Sequence, residues 1–191
     1  MKAIRISGTI IYFLVDYHPY RVRGERNPAF DTMSGKILDI KQDREPGVIY
    51  FKPLVIDLVR SIIQEHDIDG IVMIPSHETG KYSNSICKLI NAVTDEVGCE
   101  DLHDALYRSE TIIKSSMGGE RSLTTHIRTI KPVLELIRGK NIILMDDVVT
   151  TGSSMLACEY ILNKSKAKSV TCLALARDFM EYGSNHVVLD L

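Results

Sequence analysis

Between residues 48 and 66 apolar side chains recur at helical spacing, with Leu54, Leu58 and Ile62 on one stripe and Pro53 read as part of a first turn. "GIVMIP" follows, a short unbroken apolar run closed by proline, which is the pattern of a strand buried on both faces of a parallel sheet. Helical spacing returns from about Tyr82 to Val97. A strand is predicted around Ala105 to Tyr107, then a polar loop with adjacent glycines, then a helix near Thr124 to Ile137. "NIILMD" is the next buried strand, Ser153 to Asn163 the next helix, and "SVTCLALA" a further strand. Strands alternating with helices through short loops predict an α/β fold on a doubly wound, mostly parallel sheet. Such sheets bind ligands beyond the carboxyl ends of their strands, and the loops after Ile74 and Met145 stand at two such ends.

The first fifty residues break this rhythm. "AIRISGTIIYFLVDY" has the composition of strands, while "HPYRVRGERNPAFDTMSGK" is rich in Pro, Gly, Arg and Asn, as irregular surface structure is. The chain is therefore read as an N-terminal hood segment, residues 1–50, on a core of residues 51–191, together one structural domain. Its 191 residues, 45% of them hydrophobic, are enough to bury a core without disulfide or metal staples.

A net charge of -2 gives no global electrostatic case for nucleic acid or an anionic membrane, so partners are expected to be local and specific. The apolar run "IIYFLV" is too short to span a bilayer and lacks the flanks of a secretory signal, which points to a cytoplasmic protein. Cys87, Cys99, Cys158 and Cys172 form no C-x-x-C pair and read as reduced thiols. The six histidines are scattered, and no protein metal cage is expected.

"NIILMDDVVTTGSSM" carries the chemistry. After the strand, Thr150 to Ser154 lead into a helix, so backbone N–H groups and hydroxyls converge where the helix dipole is positive, a nest for a phosphate monoester. Gly152 is read as the position where backbone must approach the anion and a side chain would obstruct it. Asp146 and Asp147, at the strand end, can accept hydrogen bonds from a vicinal diol and suit a cation developing at the neighbouring carbon. Phosphate, diol and electron-poor carbon together describe a ribose 5-phosphate unit. The acidic strand of a nucleoside triphosphatase would need a G-x-x-x-x-G-K-[ST] loop, and Gly80-Lys81 is followed by Tyr82. An N-cap after a strand accounts for one Asp or Ser, not the whole combination.

These residues resemble the phosphoribosyl pyrophosphate signature of the type I phosphoribosyltransferases. From about Ile37 to Arg177 the layout is similar to the competence-type, ComF-like branch, without that branch's N-terminal zinc ribbon. "GKILDIKQDREPGVIYFKPLVIDLVRSII" is similar to its entry helix, "IVMIPSHETGKYSNS" to its pyrophosphate loop and "LYRSETIIKSSMGGERS" to its mobile loop. The resemblance implies that Asp146 and Asp147 hold the ribose hydroxyls and that Thr150, Thr151, Gly152, Ser153 and Ser154 cradle the 5-phosphate. It assigns the pyrophosphate loop to Ser76, His77, Glu78, Thr79, Gly80 and Lys81. Lys114 and Arg121 fall in the lid that closes over pyrophosphate, with Arg108 at its root. Mg2+ would travel with the pyrophosphate.

The implied reaction is transfer of phosphoribosyl from phosphoribosyl pyrophosphate to an unidentified nitrogenous acceptor. A non-catalytic sensor of the donor or a nucleotide, serving a regulator or a DNA-handling complex, and a hydrolase using water are the alternatives. The loop "HETGKYSNS" keeps one lysine and adds Glu78, and "KSSMGGERS" departs from the usual lid pattern, so phosphate binding is better supported than transfer. Tyr12, Tyr17 and Tyr20 are open between stacking on a base and core or rim packing. The oligomeric state is open, a homodimer included.

Overall fold

Ser7 and Gly8 both adopt positive φ (+49° and +93°), the pair of left-handed residues that a two-residue hairpin needs to match strand twist. They join β1 (Lys2–Ile6) to β2 (Thr9–Tyr17), with Ile6 opposite Thr9. The computed structural model describes residues 2–113, 122–179 and 187–190. The remaining strands are β3 (Arg21–Val22), β4 (Glu25–Arg26), β5 (Gly70–Met73), β6 (Glu100–Asp101), β7 (Leu106–Arg108), β8 (Ile130–Pro132), β9 (Asn141–Val149), β10 (Ser169–Asp178) and β11 (Val187–Asp190). The helices are α1 (Thr32–Lys41), α2 (Glu45–Glu65), α3 (Asn84–Val97), α4 (Leu123–Thr129), α5 (Leu134–Ile137) and α6 (Ser153–Lys164).

The central sheet has the order β11-β1-β2-β10-β9-β5-β6. From β2 to β6 every neighbouring pair is parallel, and β1 runs antiparallel to β2 and β11. The expected α/β fold on a mostly parallel sheet is thus the observed one. Two apolar layers cover it. On one face Ile37, Phe51, Ile62 and Leu89 of α1, α2 and α3 pack on Ile143, Met145 and Leu173. On the other, Met155, Cys158 and Leu162 of α6 pack with Ile4 and Phe13 on Ile142, Leu144 and Ala174. Each fully buried Ile, Leu or Phe contributes about 1.5–3 kcal/mol relative to an exposed one. No helix among the described residues is long and apolar enough to cross a membrane, and the four thiols are free.

Four local expectations are corrected. The first strands belong to the central sheet, because β2 pairs with β10, so residues 2–17 extend the core instead of standing over it. The irregular-looking stretch after them ends in a helix, α1, whose first turn is closed by Asp31 accepting from the Ser34 N–H at 2.8 Å. In α2 it is Pro46 that occupies the first turn, while Pro53 lies inside the helix. Pro53 is on an exposed position, so water can satisfy the carbonyl that the missing N–H leaves free. The helix expected over residues 124–137 is two short helices separated by β8. Pro132 cannot continue a helical ladder, and Ile130–Pro132 instead pairs with β7 in a small antiparallel sheet.

Candidate functional site

Residues Ile142 to Met145 of β9 are completely buried between β5 and β10, which delivers Asp146 and Asp147 to the carboxyl edge of the sheet as half-buried groups. Successive strand residues face opposite layers. Ile143 and Met145 face α1, α2 and α3, and Asp147 follows them: its Oδ2 lies 3.1 Å from Lys41 Nζ at the end of α1. Asp146 falls toward α6, where its charge bears on Cys158. The Asp147 N–H donates to Asp146 Oδ1 at 2.8 Å and the Val148 N–H to Asp147 Oδ1 at 2.6 Å, so the backbone fixes both carboxylates.

The two acids differ electrostatically. Burial, then the adjacent Asp147 charge, push Asp146 well above the usual carboxylate range, and the Asp147 N–H and Lys41 offset this only in part. At Lys41 burial works against the ammonium, but the charges of Asp147 and Asp146 and the hydrogen bond to Asp147 outweigh it, and its pKa is raised.

Beyond β9, Gly152 caps α6 with a left-handed φ of +77° and no side chain closes the helix start. The Ser153 N–H reaches Thr151 Oγ1 only at 3.4 Å, and the two hydroxyls share a hydrogen bond at 3.0 Å. The first-turn donors therefore remain available at the positive end of the helix. Thr150 and Ser154 line the cleft described below, and Thr151, Gly152 and Ser153 do not. The glycine has a structural reason of its own: a Cβ at residue 152 would meet Ile6 Cδ1 of β1 at 2.9 Å, so a side chain there collides with the core.

Across the strand ends, Pro75, Ser76 and His77 carry the loop after β5 into the same cleft. The loop is braced from within by the Glu78 N–H on Ser76 Oγ (3.1 Å), and from outside by the Thr79 N–H on Thr111 Oγ1 (3.1 Å) and the Ile112 N–H on the His77 carbonyl (2.9 Å). Its outer half departs from expectation: Glu78, Thr79, Gly80 and Lys81 do not line the cleft. The Lys81 ammonium pairs with the Glu78 carboxylate, which His77 Nε2 also approaches at 3.5 Å.

Arg108 ends β7 only 3% exposed. Its Nε donates to the Ser76 carbonyl at 2.5 Å and its Nη1 to Thr129 Oγ1 at 2.6 Å, while Nη2 faces His126 Nδ1 at 3.4 Å. It lines the cleft but acts first as a clamp on the loop, which fits a buried guanidinium better than a purely ligand-facing role. Burial, then the Arg108 charge, lower the His126 pKa to about 4, so this imidazole is neutral near pH 7.

These groups surround one cleft of about 610 Å³. Of the sequence-predicted residues it gathers Asp146, Asp147, Thr150, Ser154, Ser76, His77 and Arg108. Lys114 and Arg121 lie outside the described residues. Lys41, Gln42 and His126 also line the cleft, and no linear motif marked them; Tyr17 lines it too, its phenol pKa raised by burial against the opposing charge of Lys41. The described residues bring no group of three or more His, Cys, Asp or Glu to one point.

No curated protein matches the chain. Among solved structures it is similar to phosphoribosylpyrophosphate synthetase from Mycobacterium smegmatis, at 18% identity and a TM-score of 0.43 over 66% of this chain and 33% of that one. Leishmania donovani UMP synthase follows at 13% and 0.42, over 84% of this chain and 28% of that one. The allosteric regulatory enzyme of purine biosynthesis stands at 15% and 0.38, over 60% and 23%. The chain thus spans a third or less of the length of these structures. Residues 100–184, which include the acidic pair and the α6 turn but not the loop after β5, match the family model described as a phosphoribosyl transferase domain.

Proposed function

We propose that the chain binds phosphoribosyl pyrophosphate and transfers its phosphoribosyl group to a nitrogenous acceptor, releasing pyrophosphate. The observation that carries this is the joint opening of the Asp146–Asp147 pair and the uncapped start of α6 onto one cleft. The match of residues 100–184 to a phosphoribosyl transferase domain supports it. In this reading the Thr150–Ser154 turn takes the 5-phosphate, and Asp146 and Asp147 accept from the ribose hydroxyls. As the bond from ribose C1 to pyrophosphate oxygen breaks and the bond to acceptor nitrogen forms, the carboxylates stabilise positive charge on the ring; the acceptor gives up a proton. Mg2+ enters as part of the substrate, bound to pyrophosphate oxygens.

The finer placement in a ComF-like branch, the roles of Lys114 and Arg121, and a hood formed by residues 18–50, the part of the first fifty outside the central sheet, belong to the same proposal. Leu38 and Gln42 of the α1 region, which line the cleft, are its best-placed contributors to an acceptor pocket. A second reading, a donor-binding module without turnover, is favoured by one observation: the loop lysine, Lys81, is turned to Glu78 and away from the cleft. Calorimetry with phosphoribosyl pyrophosphate and Mg2+, followed by a pyrophosphate-release assay across purine, pyrimidine and simple amine acceptors, separates the two. Binding with acceptor-dependent release is expected. Binding without release selects the module, release into water alone selects a hydrolase, and absence of binding overturns the proposal.

A further inference from the structure

Lys41 is the last residue of α1, and the helix is not free to move it. Ile37 and Ile40 are fully buried against the sheet, and the Asp31 cap closes the other end. The Lys41 ammonium lies 5.7 Å from the centroid of the Tyr17 ring and 3.1 Å from Asp147 Oδ2, with the two side chains of the ion pair 34% and 27% exposed. Lys41, itself part of the cleft lining, therefore occupies one oxygen of the carboxylate expected to receive a ribose hydroxyl.

Among the described residues the cleft-lining Lys and Arg side chains are Lys41 and Arg108. Arg108 is committed to the Ser76 carbonyl and Thr129 hydroxyl and cannot leave them without unbracing the loop. Lys41 holds one carboxylate through a four-carbon stem, so its ammonium can change partner while the helix stays in place. A ligand offering only a diol would exchange the ion pair on Asp147 for hydroxyl–carboxylate hydrogen bonds and leave the ammonium unpaired. A ligand carrying a polyanion on the carbon beside the diol supplies a partner to each side of the broken pair.

Resting on the functional reading above, we propose that the Lys41–Asp147 ion pair is a selectivity latch: it opens for a ribose phosphate bearing pyrophosphate at C1, whose oxygens take over Lys41 as the diol takes Asp147, and resists ribose 5-phosphate.

Calorimetry tests this with phosphoribosyl pyrophosphate plus Mg2+ and with ribose 5-phosphate plus Mg2+, on the wild type, Lys41→Met, Lys41→Arg and Asp147→Asn. Lys41→Met keeps the stem without the charge. It is expected to weaken phosphoribosyl pyrophosphate binding about ten- to a hundredfold, while ribose 5-phosphate binds as in the wild type or more tightly. Lys41→Arg should recover most of the loss. Asp147→Asn opens the latch from the other side and spares ribose 5-phosphate the uncompensated breaking of the pair, so it should weaken ribose 5-phosphate by a smaller factor than phosphoribosyl pyrophosphate, and it serves if the Lys41 variants do not fold. Equal weakening of both ligands in Lys41→Met, or an unchanged ratio between them in Asp147→Asn, overturns the latch and leaves the function standing. A wild type that binds neither ligand overturns the function and the latch with it.

Discussion

Lowering the pH from 7 to 5 is expected to destabilise the protein through His126 in particular. The imidazole is 8% exposed on α4, with Nδ1 3.4 Å from Arg108 Nη2. Arg108 cannot withdraw, being held by Ser76 and Thr129, so a proton on His126 would place two cations together in a poorly solvated site. Among the described residues Arg108 supplies the charge that lowers its pKa, after burial, from the ordinary 6.5 to about 4. Because the folded value is the lower one, the unfolded chain takes up the proton first. The stability associated with neutral His126 is complete above about pH 6.5 and is lost as pH falls toward 4. A gap of about 2.5 pH units corresponds to about 3 kcal/mol in full, of which about 2 kcal/mol is lost between pH 7 and pH 5. The comparison variant is His126→Asn, whose side-chain carbonyl can still face Arg108 but does not titrate. Urea unfolding of both proteins at both pH values isolates His126, because carboxylate titrations common to the two cancel. The wild type should lose about 2 kcal/mol more than the variant on acidification. Parallel losses would refute the assignment and would mean that the imidazole is hydrated or that Arg108 moves away.

Gly152→Ala should lower stability by about 1–3 kcal/mol, read from the urea midpoint, since alanine resists the left-handed φ and its Cβ meets Ile6 Cδ1. Ile6→Val removes that methyl and should return part of the loss when combined with it; no recovery would show that the backbone angle alone matters. Asp146→Asn should leave stability at pH 7 unchanged or higher. The raised pKa means that wild-type Asp146 opposes folding once the pH rises above the unfolded carboxylate value, and Asn removes that cost. The double replacement of Asp146 and Asp147 by Asn should nonetheless weaken phosphoribosyl pyrophosphate binding, measured by calorimetry; normal binding would make the pair structural.

The parallel core was legible because "GIVMIP", "NIILMD" and "SVTCLALA" are apolar without alternation, and that pattern depends only on burial of both faces. What failed depended on distant partners or on a competing local signal. β2 looked like part of a separate segment because its parallel neighbour, β10, lies some 160 residues away, a pairing that no local window contains. In the 124–137 stretch the apolar spacing suggests one helix, but Pro132 ends it and Ile130 turns to β7. The strand end at Asp146 and Asp147 and the helix start after Gly152 were readable because they are contiguous in the chain. Lys41 was not, since its meaning arises only when α1 folds back to set it beside Asp147, 106 positions later.

That contact bears on how an acidic site can accept a polyanion at all. Two ionised carboxylates at a half-buried strand end would repel phosphate groups a few ångströms away, and the repulsion would be strong where water is scarce. The cleft meets this in two different ways. Asp147 is compensated by Lys41, and Asp146 is displaced toward its neutral form by burial and by Asp147 itself. On the opposite wall, neutral His126 leaves the Arg108 charge free of a competing cation while Ser76 and Thr129 hold that charge in place. At the end of β9 the acidic pair is therefore partly compensated, and Arg108 adds a positive charge on the loop side. Under the proposed function, a diol that takes Asp147 would free the Lys41 charge for the anionic oxygens on the neighbouring carbon. In that reading the acidic residues would serve the sugar without repelling the phosphates. Under the proposed function it is the ion pair, more than the carboxylates alone, that would suit the strand end to a phosphorylated ribose.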